Sequence, residues 1–342
     1  MHIDVMTQPA APADVARLAR TVADAGFSGL VFTEMSQPPW LSIATAHEAA
    51  PELDLSTGIA VAFPRSPMIT AQTAWELAEV TQGRFRLGLG SQVRAHIERR
   101  YGVEFEPPVA RLRDYVRAVR ASWAGFRGEP LRHEGDYYRL SLLPAMGIPR
   151  RHAHEDIKVD IAAVGRAMVR AAGEVADGIH VHPFHSLAYL RQRLLPALEE
   201  GTAKAGRDRD DVDLIVPVFA VPGDSPGERA PGEQLARQQI AFYGSTKNYA
   251  YQFDDLGFEG TSARLNERLK AGDMAGMAAL ITDEMLEHFA VVCPWDDLAD
   301  RLVERYGAMA ARVVMYTAAP DIARRPDNAA RWGEVARAVR AA

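Results

Sequence analysis

The sequence predicts an α/β protein, a (β/α)8 TIM barrel with insertions. Three observations carry this. Strand–helix–strand returns recur three times in the first 90 residues, the signature of parallel pairing with right-handed crossovers. Four further apolar strand segments lie downstream, spaced by helical stretches, which brings the total to eight. The chain of 342 residues, 48% hydrophobic, suits one barrel and fills a large core. A doubly wound open sheet is the competing topology.

The elements follow in order. Ile3 to Met6 reads as a strand, and Ala13 to Ala25 as a helix with Val15, Leu18, Ala19, Val22 and Ala23 at helical spacing, stopped by Gly26. Gly29 to Phe32 is the second strand, ending at Thr33-Glu34; Leu53 to Val61 is the third; a helix over Met68 to Val80 leads to the fourth, Arg84 to Leu89. Val109 to Trp123 is a strongly amphipathic helix, and a hairpin insertion is expected near 128–145, over Leu131 to Leu143. Ile157 to Ala162, Gly178 to Val181, Val212 to Val221 and Arg312 to Tyr316 complete the strands. Helices are expected at Ala167 to Ala172, Leu187 to Ala203 and about Gly232 to Phe242. Gly244 to Gly260 has no period and reads as a long active-site loop, followed by two helices within Ala263 to Phe289. No linker or low-complexity tract divides the chain, so residues 1–342 are expected to form a single domain.

Composition narrows the function. A net charge of −6 argues against nucleic-acid binding. The one cysteine, Cys293, rules out an intrachain disulfide and points to a cytoplasmic setting. No apolar run approaches the ~20 residues of a membrane span, and Met1 to Met6 does not read as a signal peptide.

Barrel chemistry sits at the C-terminal strand ends. Those ends offer Met6 and Thr7, Thr33 and Glu34, Gly58 to Phe63, Gly88 to Gln92, Ala162 to Arg166, His180, His182 and His185, Val218 to Pro222, and Met315 to Thr317. Glu34 is a carboxylate placed to orient a ligand or act as a base, or else an ion-paired structural residue. Gly88-Leu89-Gly90 resembles half of a dinucleotide fingerprint, but position 93 is Val and the strand is the fourth, so the glycines read instead as a strand end that lets a flat ligand approach the backbone. Ala162 to Arg166 runs from strand into helix and suits a phosphate. No carboxylate completes a metal set around the histidines, so no metal is expected. Trp40, Arg94, His96, His185, Tyr243, Tyr249, Tyr251 and Phe253 are candidates for a substrate pocket at the same end.

Several runs carry a resemblance: Ala25-Gly26-Phe27, Glu34, Ser56 to Val61, Pro64-Arg65-Ser66-Pro67, Gly83-Arg84-Phe85 through Gly90, Ala162 to Gly165, and Ala172-Gly173-Glu174-Val175-Ala176-Asp177-Gly178. With these the chain resembles the luciferase-like monooxygenase superfamily, and within it the branch of coenzyme F420-dependent oxidoreductases. The resemblance implies hydride transfer between deazaflavin and a small alcohol, carbonyl or activated alkene. The alternatives are an FMN-dependent monooxygenase using reduced flavin and O2, and a non-catalytic cofactor-binding homologue. It further implies a non-proline cis peptide behind the ring, at Gly58–Ile59 first and Ala60–Val61 second. Cofactor contacts map to Glu34, Gly58, Ile59, Gly90, Ser91 and Gln92, and phosphate contacts to Ala163, Val164, Gly165 and Arg166. Glu34, His180 and His182 are the expected catalytic groups, and a homodimer is expected from the family alone. Many deazaflavin enzymes carry an Asp-His pair after the second strand and a Glu after the fourth-strand glycines. This chain has Glu34-Met35 and Gln92-Val93 there, so the family's proton-handling residues do not carry over.

Overall fold

The computed structural model describes residues 1–342 and is a closed eight-stranded parallel barrel with helices outside it. The barrel strands are β1 (His2–Thr7), β2 (Gly29–Phe32), β3 (Asp54–Thr57), β4 (Phe85–Gly90), β5 (Lys158–Ala163), β6 (Gly178–Val181), β7 (Asp213–Pro222) and β8 (Arg312–Met315). They pair in chain order and close through β8 on β1. β2 and β6 match the sequence reading to the residue.

Local chemistry explains the boundaries. Pro12 opens the first helix, where its missing N–H costs nothing, and Gly26 closes it with φ of 88°, a left-handed cap open to glycine. The Ser66 hydroxyl accepts from the Ile69 N–H at 3.2 Å and caps the helix Pro67–Val80. The apolar faces of these helices pack on the outward side chains of the strands to form the main core.

Inside the barrel the side chains stack in layers. The floor is ionic: Arg312 reaches Asp4 at 2.7 and 2.9 Å and Asp54 at 2.9 Å, while Arg86 reaches Asp160 at 3.0 and 2.7 Å and Asp213 at 3.0 Å. Each buried charge is thus paired, as its desolvation requires. Above the floor lies a small apolar layer of Met6, Val31, Ile215 and Val314, with Tyr316 packed on it. The mouth opens above that layer.

The structure departs from the sequence reading in five places. A short strand that the sequence did not announce, Ala290–Cys293, pairs with the outer half of β7. The third strand does not run to Val61; it breaks after Thr57 and resumes as Ala60–Val61, which pairs with β4. The stretch 244–260 is not an open loop but carries helical turns at Lys247–Tyr249 and Tyr251–Asp254, anchored by a fully buried Phe253. Three helices, not two, follow: Thr261–Lys270, Met274–Ala279 and Asp283–Phe289. The preceding helix is longer than expected, Pro226–Gly244, with Pro231 inside it. These helices share a second core of Phe184, Phe219, Ile240, Phe253, Met285 and Phe289 over β7, and tertiary packing overrides their weak local pattern. The expected hairpin is present as His133–Glu134 against Arg139–Leu140. No helix is long and apolar enough to cross a membrane.

Candidate active site

The β3–β4 side of the mouth is built from backbone. The Gly58–Ile59 peptide is cis, at the bond the sequence singles out. The Thr57 hydroxyl donates to the Gly88 carbonyl at 2.7 Å and accepts from the Gly88 N–H at 2.9 Å, which ties the two strand ends together. Neither glycine has room for more: a Cβ on Gly88 would fall 1.8 Å from the Thr57 carbonyl oxygen, and one on Gly58 2.3 Å from Val31. The bulge and the two glycines form a smooth backbone shelf.

Glu34 clamps that shelf. It is buried, and its carboxylate accepts from the Val61 N–H at 2.7 Å and from two Arg65 nitrogens at 2.8 and 2.5 Å. Arg65 also donates to the Val61 carbonyl at 2.7 Å and lies over the Trp40 ring, 5.5 Å from its centroid. Both carboxylate oxygens are therefore engaged within the protein. Arg65 is the partner that sequence reasoning missed, although the run Pro64-Arg65-Ser66-Pro67 directly after the bulge was a signal.

The three histidines occupy three different environments. His180 lies inside the barrel, paired in register with Ala162 and Ile215, above the ionic floor. Its Nε2 is buried without a partner, 3.9 Å from Asp160. Burial lowers its pKa to about 4, so the ring is neutral near pH 7. His182 stands one step higher, edge-on to Tyr243 at 4.7 Å and tilted against Tyr249 at 4.9 Å. Its Nδ1 accepts from the Phe184 N–H at 3.1 Å, and burial lowers its pKa to about 4 as well. His185 is placed away from this cluster. Its Nδ1 meets the His182 carbonyl at 2.8 Å and its Nε2 the Tyr306 hydroxyl at 3.3 Å, so both nitrogens are spent on the fold. No group of three or more His, Cys, Asp or Glu side chains is placed to hold a metal ion.

The β5 end presents an open helix N-terminus, the kind of end that holds anions. Gly165 precedes the helix Arg166–Val175, and a Cβ there would meet no atom within 4 Å. The first amides of that helix have no partner within it and face outward with the positive end of the dipole. The Val164 carbonyl is turned away and accepts from the Tyr189 hydroxyl at 2.5 Å, which leaves donors rather than acceptors at the helix end. Ala163 is buried below. Arg166 points elsewhere: it is exposed and pairs with Glu200 at 2.6 Å. Ser91 and Gln92 follow Gly90 half-buried at the end of β4. The Ser91 hydroxyl donates to the Gln92 carbonyl at 3.2 Å, and the Gln92 side-chain oxygen accepts from the Val93 N–H at 3.0 Å across a residue with φ of 56°.

The pocket candidates divide. Trp40 and Tyr249 are half-buried at the mouth, beside Arg65 and His182 respectively. Arg94 and His96 stand on the exposed helix Arg94–Arg99, where Arg94 pairs with Glu98 and Glu106 and lies over Phe105. The structure adds Tyr316, whose hydroxyl is 2.8 Å from that of Tyr243 and whose ring meets Phe219 at 5.0 Å.

Comparison with known proteins agrees with this architecture. The profile of a family described as luciferase-like monooxygenase matches residues 1–312. An uncharacterized protein of Mycobacterium tuberculosis is 40% identical over 290 residues, covering 84% of this chain and 85% of that one. The F420-dependent glucose-6-phosphate dehydrogenase of Intrasporangium calvum is 27% identical over 282 residues, covering 79% and 81%. Among solved structures, the coenzyme F420-dependent tetrahydromethanopterin reductase of Methanopyrus kandleri superimposes with a TM-score of 0.81 at 20% identity, over 97% of each chain.

Proposed function

Because the chain belongs to the luciferase-like monooxygenase family, we propose that it is an oxidoreductase that transfers a hydride between coenzyme F420 and a small organic substrate. The observation that carries this reading is the pairing of a backbone shelf with an anion cradle on one barrel mouth. The shelf of Gly58, Ile59 and Gly90 would offer a flat ring a stretch of backbone, packed on its other side by Val31 and His180 at Gly58 and by the Ile59 side chain at Gly90. The cradle at Val164 and Gly165 offers a phosphate the free amides of a helix N-terminus and open space. Ser91 and Gln92 follow β4, between the β3 and β5 ends, and would hold the polar chain that links ring to phosphate.

When bound, the cofactor supplies the two-electron carrier; the protein supplies position and environment. Glu34 acts through Arg65 and the Val61 amide to hold the shelf, and in this reading it orients the ring rather than acting as a free base. Neutral His180 fills the barrel against Gly58 and Gly88 and would exclude water from that side of a bound ring. His182, Tyr243, Tyr249 and Trp40 wall the space left for substrate.

F420-dependence is supported by the named activity of the Intrasporangium relative. The second reading, an FMN monooxygenase, follows from the family as a whole. Titration of the purified protein with each cofactor, read by fluorescence quenching, separates them. Tight binding of F420 with weak binding of FMN is the expected result. Low-micromolar FMN binding without F420 binding sinks the proposal.

A further inference from the structure

Across the barrel from the shelf, the wall formed by β6 to β8 carries hydrogen-bond donors and no free base. Tyr316 leaves the end of β8 and Tyr243 descends from the helix Pro226–Gly244, and their hydroxyls meet at 2.8 Å. One phenol donates to the other, which leaves one phenolic hydrogen without a partner. Tyr243 also packs edge-on against His182. Because the His182 Nδ1 accepts from the Phe184 N–H, the neutral ring carries its proton on Nε2, a second donor at the same wall. All three side chains are half-buried. Burial, and for Tyr243 also its phenol neighbour, holds both tyrosines protonated well above neutral pH. The carboxylates within two residues of a strand end are spoken for: Glu34 by Arg65 and Val61, and Asp224 by Arg331 at 2.5 Å and the Trp295 N–H at 3.3 Å.

We propose that Tyr316, Tyr243 and His182 form the subsite for the substrate's oxygen, and that this oxygen belongs to a ketone, aldehyde or enone that the protein reduces. The inference rests on the hydride-transfer reading above and narrows it to the substrate form that the resting wall is prepared to meet. The reverse step, alcohol oxidation, would need the tyrosinate, which burial disfavours near neutral pH. A carbonyl oxygen only accepts, and it gains negative charge as it is reduced. The hydride brings two electrons to the carbonyl carbon, and the π pair of the C=O bond moves to oxygen. In an enone the hydride goes to the β-carbon, and the charge reaches the same oxygen as an enolate. In carbonyl reduction the oxygen then takes the unspent phenolic proton, which water returns to the tyrosine. In enone reduction the enolate keeps its hydrogen bonds until water protonates the α-carbon. The hydride comes from the reduced deazaflavin of the proposed reaction. Neutral donors aimed at a developing oxyanion act in the manner of an oxyanion hole.

The probe is 4-nitrophenol, whose phenol and phenolate forms have distinct absorbance, bound to the full-length protein without cofactor. A donor wall binds the phenolate about tenfold tighter than the phenol, because a hydrogen bond to a charged oxygen is worth more than one to a neutral oxygen. Tyr316→Phe removes most of that preference, and Tyr243→Phe serves as the second variant, each checked for an unchanged circular dichroism spectrum. Equal binding of the two forms, no binding, or an unchanged preference in both variants overturns the subsite. Cofactor titration is independent of this readout. A protein that prefers phenolate but does not bind F420 sinks the parent reading alone, while one that binds F420 without the preference sinks the subsite alone.

Discussion

Gly88 stands where a side chain would run into His180: a Cβ there would lie 2.8 Å from the His180 Nε2 and 1.8 Å from the Thr57 carbonyl oxygen. The second contact is to backbone and cannot be relieved by a rotamer. Gly88→Ala is therefore expected to cost more than ~3 kcal/mol or to prevent folding, and His180→Ala in the same chain should not rescue it. Gly90→Ala is different. Its Cβ would meet the Ile59 side chain, Cδ1 at 2.7 Å and Cγ1 at 2.8 Å, with Ala162 in ordinary contact at 3.5 Å, so the cost should be about 1 kcal/mol and should shrink with Ile59→Val, which removes the nearer carbon. Urea midpoints of the four variants check this, and a Gly88→Ala protein as stable as the parent refutes the close approach.

Stability should fall in acid. His180 and His182 have pKa values lowered to about 4 and His185 to about 3, in each case chiefly by burial. The unfolded chain, with histidines near 6.5, binds more protons than the folded one between the two values. Stability is therefore fully present above about pH 6.5 and is lost as pH falls toward 4, with a slope near pH 5 approaching ~4 kcal/mol per pH unit if all three respond. Denaturant midpoints from pH 7 to pH 4.5 measure it. The slope should drop by about a third in His185→Gln, whose partners are structural. A flat profile would mean that the rings are not buried as neutral groups.

The barrel was legible because its signals are local. Gly29–Phe32 and Gly178–Val181 are short apolar runs opened by glycine, and each was read at its true limits. The break at Gly58 was legible only through family resemblance, since a run from Leu53 to Val61 looks like one continuous strand. The helices between Pro226 and Phe289 were poorly legible because they draw their order from a shared core over β7, and Pro231 hides the start of the first. Within the candidate site, the strand-end rule singled out Glu34, His180, His182 and the stretch Met315 to Thr317, and the structure sets His185 apart from them. Their partners were not legible. Arg65 is 31 residues from Glu34, and Tyr316 is 73 residues from Tyr243, and pairings at that distance leave no periodic trace. The sequence placed Glu34 at a strand end; only the structure shows that its carboxylate is already engaged.

Glu34→Gln separates a positioning role from a catalytic one. The amide keeps the shape but loses the charge that faces Arg65, leaving a largely buried guanidinium without its counter-ion. A loss of about 2 to 4 kcal/mol of stability is expected, together with weaker cofactor binding. Turnover at saturating cofactor should fall, at least about tenfold, without a new titration in the pH–rate profile. Arg65→Met should produce the same pattern, because it opens the same clamp. If Glu34→Gln abolishes a titrating group from the profile while Arg65→Met does not, the carboxylate is a base and the clamp reading fails.

Gly165→Asp should uncouple stability from cofactor affinity. The position precedes a helix of ten residues that has no acidic side chain in its first turn, and an added Cβ there meets nothing within 4 Å. The φ of −77° and ψ of 149° suit aspartate without strain. Its carboxylate would accept from the free amides of the first turn and complement the helix dipole, so stability should rise by a few tenths to ~1 kcal/mol. Those same amides are the ones proposed to receive the cofactor's phosphate. A fixed negative charge in their place should weaken F420 binding by about tenfold or more, with the larger effect at low ionic strength. Gly165→Ala, which fills space without charge, should leave stability and affinity within about a factor of three of the parent. Thermal melts and cofactor titrations on the same samples measure both quantities. A more stable Gly165→Asp protein that binds the cofactor as tightly as the parent places the phosphate somewhere other than this helix end.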